Sequence, residues 1–170
     1  MKYGQTASSE QLNFLGETHT NKPKQARIPI YRVTLVREGK MPTDESRIRS
    51  SASAYTVLQE YLDGVDREHF VVMLLDQKNC AIGLHTVSIG SLTASIVAPR
   101  EVFKVAILAN CANILLAHNH PSGDCQPSKE DRAITQRLKE AGALLGINVL
   151  DHLVIGADGR YFSFADENLL

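Results

Sequence analysis

Four apolar residues, Ile114-Leu-Leu-Ala117, run without interruption into His118-Asn-His120, and Pro121-Ser-Gly-Asp124 stops the run at once. An apolar run too short for a helix and lacking polar alternation is the pattern of a strand buried on both faces. Such a strand needs covering layers above and below its sheet. A second run of the same kind, Phe70-Val-Val-Met-Leu-Leu75, makes the same demand. Residues i and i+2 of a strand project to one face, so the strand that ends on His118 and His120 aims two imidazoles at one point.

The remaining pattern supplies the layers. Residues 50–63 are predicted to be a helix, with Tyr55, Leu58, Leu62 and Val65 on one face. Asp76-Gln-Lys-Asn79 reads as a turn, and residues 81–90 as a strand paired in a hairpin with 70–75. Pro99 and Glu101 open a helix whose apolar face is Val102, Val105, Ala106 and Ala109. Ser128 starts another, with Ile134, Leu138, Ala141 and Leu145 facing inward, and closing strands follow at 147–155 and 160–164. This order predicts a single-domain α/β sandwich with a mixed central sheet over residues 50–170.

Ahead of it, residues 1–49 read as a flexible basic arm, polar over 1–27, with strand composition at 30–37. Residues 1–50 hold nine Lys/Arg against five Asp/Glu, whereas the whole chain has a net charge of −1. That balance excludes a bulk nucleic-acid or membrane binder; the arm reads as solvated, with a weak contact to nucleic acid or an acidic partner as the alternative. Three cysteines without a C-x-x-C exclude a disulfide framework. There is neither a signal-like run nor an apolar stretch near the ~20 residues that span a bilayer, so a reducing cytoplasm is the expected compartment.

The chemistry gathers in His118-Asn-His-Pro-Ser-Gly-Asp-Cys-Gln-Pro-Ser-Lys-Glu-Asp131. Asp131 falls in the first turn of the helix that starts at Ser128, where the helix N-terminus favours an ionised carboxylate. Two imidazoles and one carboxylate make three zinc ligands and leave a fourth position for water, whose pKa zinc lowers to roughly 7. The expected cofactor is one Zn2+ per chain, held by His118, His120 and Asp131. Such chemistry needs a general base that is not a ligand, and Glu68, just ahead of the strand 70–75, is the candidate. Glu101 is the weaker alternative, because a helix start explains it. Ser128 is a candidate donor to an oxyanion. It also begins an S-x-x-D capping pattern, which competes with the metal for Asp131. Cys125 reads as a loop thiol rimming the site. Asp151 and His152 read as a hydrogen-bonded structural pair, with support of the metal as the alternative. His69 and His85 read as structural or exposed, and His19 carries no signal.

The residues His118, His120, Ser128 and Asp131, at this spacing, resemble the JAMM motif of the JAB/MPN+ superfamily of zinc metallopeptidases. More specifically, the chain is similar to the RadC family in Arg67-Glu-His-Phe70, Pro99-Arg-Glu101, Ala117-His-Asn-His-Pro-Ser-Gly123, Pro127-Ser128 and Leu150-Asp-His152, over about residues 50–170. The resemblance implies a cytidine-deaminase-like JAB/MPN fold and cleavage of an amide bond in a peptide or protein substrate. It also implies that a glutamate ahead of a core strand acts on the metal-bound water, and Glu68 stands in that place. A helix-hairpin-helix DNA-binding module, often joined to RadC proteins, has no match in residues 1–49. Two other readings stand beside the hydrolase: a DNA-repair-associated protein that binds or acts on nucleic acid, and a non-catalytic interaction module.

Overall fold

The computed structural model describes residues 27–44, 46–90 and 97–170. In chain order the elements are α1 (Ser51–Tyr61), β1 (His69–Leu75), β2 (Ala81–Ile89), α2 (Pro99–Leu108), β3 (Asn113–Asn119), α3 (Lys129–Leu145), β4 (Asn148–Ile155) and β5 (Tyr161–Ser163). The five strands form one sheet in the order β2-β1-β3-β4-β5. It is mixed, as expected: β3 and β4 run parallel, joined by α3, and every other neighbouring pair is antiparallel. Among the described residues, no helix is long and apolar enough to cross a membrane.

The strands' two-residue alternation sorts their side chains into two cores. Phe70, Val72 and Leu74 of β1, with Ile114 and Leu116 of β3, pack against Val102, Phe103 and Ala106 of α2 and Ile134 and Leu138 of α3. Val71, Met73 and Leu75 of β1, with Leu115 and Ala117 of β3, pack under Ala54, Val57, Leu58 and Leu62 of α1. Both apolar runs are therefore buried on both faces, as their lack of alternation requires. His118 follows Ile114 and Leu116 in this alternation, so it faces α3.

Helix starts follow from local chemistry. Ser50 and Ser128 cap α1 and α3, each in a capping box with the residue three places on. Pro99 sits in the first turn of α2. Helix α3 stops at Gly146, which is left-handed at φ 69°.

Two expectations are corrected. Residues 30–37 carry no strand, and Ile30, Val33, Leu35 and Val36 are between 47% and 98% exposed. Strand composition becomes a strand only where a neighbour supplies the ladder and covers a face, and these residues have neither. Leu145 does not face inward; it is half exposed, and Gly142 takes the buried place on α3. A Cβ at Gly142 would lie 2.4 Å from the Ile147 carbonyl, so the chain turning into β4 needs that gap. The polar arm expected over 1–27 falls outside the described residues apart from Arg27. Ordered pairing begins slightly before residue 50: Arg47 bridges Cys80, Ile48 N–H bonds the Asn79 carbonyl, and Ile48 is buried.

Candidate metal centre

His118 is the penultimate residue of β3, and His120 lies just beyond the strand's end. The antiparallel pairing of β1 with β3 ends at Phe70 opposite His118, which brings Glu68 to the same end of the sheet. The parallel crossover returns α3 over this face with Asp131 in its first turn. His118 Nε2 stands 3.0 Å from His120 Nε2 and 3.4 Å from Asp131 Oδ1, and His120 Nε2 is 3.7 Å from Asp131 Oδ2. The ligand atoms of Glu68, His118 and His120 all lie within 4.8 Å of one another, a group that can hold a metal ion.

Hydrogen bonds around the site determine which nitrogens carry protons. Thr135 Oγ1 lies 2.5 Å from the Asp131 carbonyl, and a carbonyl only accepts, so the threonine proton points there. His152 Nδ1, 2.6 Å from the same Oγ1, must therefore be the donor in that pair. His152 is fully buried, and burial first, then the neighbouring His118, hold its pKa well below the ordinary histidine range. It is neutral, and its bare Nε2 accepts from His118 Nδ1–H at 2.9 Å. His120 Nδ1 donates to the Asp124 carbonyl at 2.6 Å. With both Nδ1 atoms donating, the two Nε2 atoms stand at hydrogen-bond distance, 3.0 Å, and either a single shared proton or a metal cation beside them satisfies both lone pairs.

The donors fit a metal. Ligands bonded at about 2.0–2.1 Å to a tetrahedral zinc stand about 3.3 Å apart, close to the separations found here. A proton can take the cation's place, because the Asp131 carboxylate beside His120 raises the pKa of that imidazole. Burial opposes ionisation of Asp131, but the adjacent imidazoles of His118 and His120 and the Ser128 hydroxyl outweigh this and hold the carboxyl well below the usual range.

Asp131 meets both demands placed on it by dividing its oxygens. Oδ2 accepts from Ser128 N–H at 2.7 Å and from Ser128 Oγ–H at 2.6 Å, while Oδ1 faces His118. The single hydroxyl proton of Ser128 is directed at Asp131, and its oxygen accepts from Asp131 N–H.

Other candidates lie outside this group. Glu101 is an exposed partner of Lys104 and Arg100. Cys125 packs beside Gly156, while its neighbour Asp124 contributes only a carbonyl to His120. Asp151 and His152 do not pair through their side chains. Asp151 accepts from Ser163 Oγ, His152 N–H and Ala165 N–H and so ties the C-terminal turn to β4, whereas the His152 ring supports His118. His69 bonds the Arg67 carbonyl through Nδ1, His85 is exposed, and His19 lies outside the described residues. Thr135 was not legible as a site residue, because a threonine inside a helix has no motif. Its only signal is its burial beneath a histidine of the neighbouring strand.

A central mixed sheet carrying a His-x-His strand end beside the acidic first turn of a helix defines a JAB-type domain. The RadC-like JAB domain matches this chain over residues 48–169, and the chain belongs to that family. It is 50% identical over 123 residues to a UPF0758 protein of Rubrobacter xylanophilus, covering 72% of this chain and 53% of that one. It is 46% identical over 138 residues to a UPF0758 protein of Methanococcoides burtonii, covering 80% and 60% respectively. A UPF0758 protein of Moorella thermoacetica is 50% identical over 123 residues, covering 72% and 53%. The chain thus spans a little over half the length of the curated relatives it matches.

Proposed function

We propose that this chain is a zinc-dependent, metallopeptidase-like hydrolase that cleaves an amide bond, peptide or isopeptide, in a protein or peptide substrate. The observation that carries this reading is the convergence of two histidine lone pairs with the carboxylates of Glu68 and Asp131 at one end of the sheet.

In this reading His118, His120 and Asp131 hold the ion. Asp131 suits ligation because it is buried and kept ionised, whereas Glu68 is only partly buried. A bound zinc ion supplies a Lewis acid that activates water at neutral pH. Glu68 takes the proton from the attacking water and passes it to the leaving amine. Ser128 holds Asp131 in place, and its hydroxyl serves a developing oxyanion only when its proton turns away from Oδ2. His152 and Thr135 hold the tautomer of His118 that keeps Nε2 bare.

Elemental mass spectrometry of the purified chain, beside a His118→Ala/His120→Ala variant, tests the site. About one zinc per wild-type chain, absent from the variant, is expected of a three-ligand centre. A wild-type protein that takes up no metal at neutral pH would sink this reading. Glu68→Gln should then keep its zinc and lose about a hundredfold or more of its turnover on peptide and isopeptide substrates.

One observation favours a second reading, contact with nucleic acid. A cavity lined by Arg47, Ile48, Arg49, Lys78 and Asn79 lies by the β1–β2 turn, at the opposite end of the sheet, and its charged lining is wholly basic. Salt-dependent DNA binding, weakened in Arg47→Ala/Arg49→Ala, would support that reading.

A further inference from the structure

The residue between the two metal-facing histidines is tied to Glu68. At this end of the sheet the last backbone pair of β1 with β3 is Phe70 opposite His118. One residue further out a side chain takes over from the ladder. The Asn119 carboxamide accepts from His69 N–H through Oδ1 at 2.8 Å and donates from Nδ2 to the Arg67 carbonyl at 3.0 Å. These two groups belong to the peptides on either side of Glu68. In extended chain, the carbonyl of one residue and the N–H two residues on share an edge, and a primary amide offers one acceptor and one donor to match them. The carbonyl of Glu68 itself faces the other edge, where it accepts from Gly90 N–H at 2.8 Å. The Glu68 backbone is therefore pinned from both sides, and one of the pins projects from the segment that carries His118 and His120.

We propose that Asn119 is the positioning residue for Glu68: by gripping both flanking peptides it sets where the Glu68 carboxylate stands relative to the histidine nitrogens. The inference rests on the reading of Glu68 as the base beside a metal. It explains why a carboxamide occupies this place. An aspartate would set an acceptor against the Arg67 carbonyl, and a serine would be too short to reach both partners. One bond is exposed and the other only part-buried, so Asn119 adds little to global stability, whereas a displacement of about 1 Å at a reacting group costs about a hundredfold in rate.

The test uses the full chain loaded with Co2+, whose visible absorption senses the groups around the ion, in wild type, Glu68→Gln, Asn119→Ala and the double variant. Glu68→Gln should shift the Co2+ bands. Asn119→Ala should shift them in the same direction with little change in Tm, and the double variant should match Glu68→Gln alone, because the two residues act through one contact. In the metal-free chain, the His69 amide should exchange about tenfold faster in Asn119→Ala, the loss of one net hydrogen bond. Should Asn119→Ala fail to fold, Asn119→Ser keeps a polar strand end, also loses the double grip, and should give the same shift. A wild-type spectrum in a folded Asn119 variant, while Glu68→Gln shifts the bands, overturns the proposal, as does a double variant whose shift is the sum of the two. If wild type takes up no cobalt, or Glu68→Gln leaves the spectrum unchanged, the reading of Glu68 itself fails and the proposal falls with it.

Discussion

Both ends of the β3 strand are finished by polar side chains, chosen differently. At the start of β3, Asn113 donates to Asn79 at 2.8 Å and accepts from Asn148 at 2.9 Å, a ladder of neutral amides that satisfies itself at the protein surface. At the other end His118 and His152 are fully buried and Asp131 nearly so, and two imidazole Nε2 atoms meet at 3.0 Å beside a carboxylate. A neutral ladder closes a sheet at little cost. Buried groups that are complete only with an added cation are costly to assemble, and perturbed groups of this kind cluster where function resides. The difference marks the end of the sheet that carries the candidate metal centre.

The comparison breaks most completely if metal binding survives loss of the imidazoles. His118→Ala/His120→Ala should abolish zinc uptake, leaving one of the three proposed ligands. The fold should persist at reduced stability, because the two apolar cores carry most of the burial while His118 is itself buried against Phe70. Circular dichroism beside metal analysis checks both halves of this expectation.

A smaller effect is expected two hydrogen bonds behind His118. Thr135→Val removes the acceptor for His152 Nδ1–H in a fully buried place and frees His152 to present the wrong tautomer to His118. Zinc affinity should fall about 10–100-fold, the range typical for lost outer-shell partners. Stability should fall by about 1–3 kcal/mol for the stranded donor. Zinc titration and thermal melts separate the two, and unchanged zinc affinity would show that the tautomer needs no such support.

How much of this was legible in the sequence depends on the distance over which each feature is specified. The two buried runs, the Pro99 helix start and the Ser128 cap are local, and the structure carries them as expected. The His118–His120 pairing needs only the strand's two-residue period. Glu68 was a candidate by position, but its proximity to the histidines depends on the antiparallel register of β1 against β3, which no local pattern encodes. The tie of Asn119 to Arg67 and His69 depends on the same register. Thr135 and His152 meet only because the parallel crossover lays α3 over β4. Residues 30–37 misled for the converse reason: their composition is local, but a strand needs a partner that local sequence does not supply.

The pH dependence sharpens the contrast between the ends. The Asp131 carboxylate raises the pKa of His120, so a proton competes with a metal ion for its Nε2. A protonated imidazole cannot ligate, so zinc affinity should be full above the raised pKa and decline as pH falls through it. The decline should begin above the ordinary histidine value of about 6.5, at about tenfold per pH unit for one competing proton. Competition titrations between about pH 8 and about pH 5 cover that window. An affinity flat down to about pH 5 would mean that no histidine proton is displaced on binding.

The smallest effect belongs to the amide ladder. Asn113→Ala removes two neutral hydrogen bonds at a part-exposed position. Water replaces the lost partners there, so the cost should be about 0.5–1.5 kcal/mol, visible in a thermal or urea melt. Zinc stoichiometry and affinity should not change, because Asn113 lies at the opposite end of β3 from His118 and shares no hydrogen bond with the site. The two substitutions therefore form a pair: Thr135→Val should move metal affinity and stability together, and Asn113→Ala stability alone. A loss of zinc affinity in Asn113→Ala would mean that the two ends are coupled through the strand, and the sheet could then no longer be treated as a rigid support for its site.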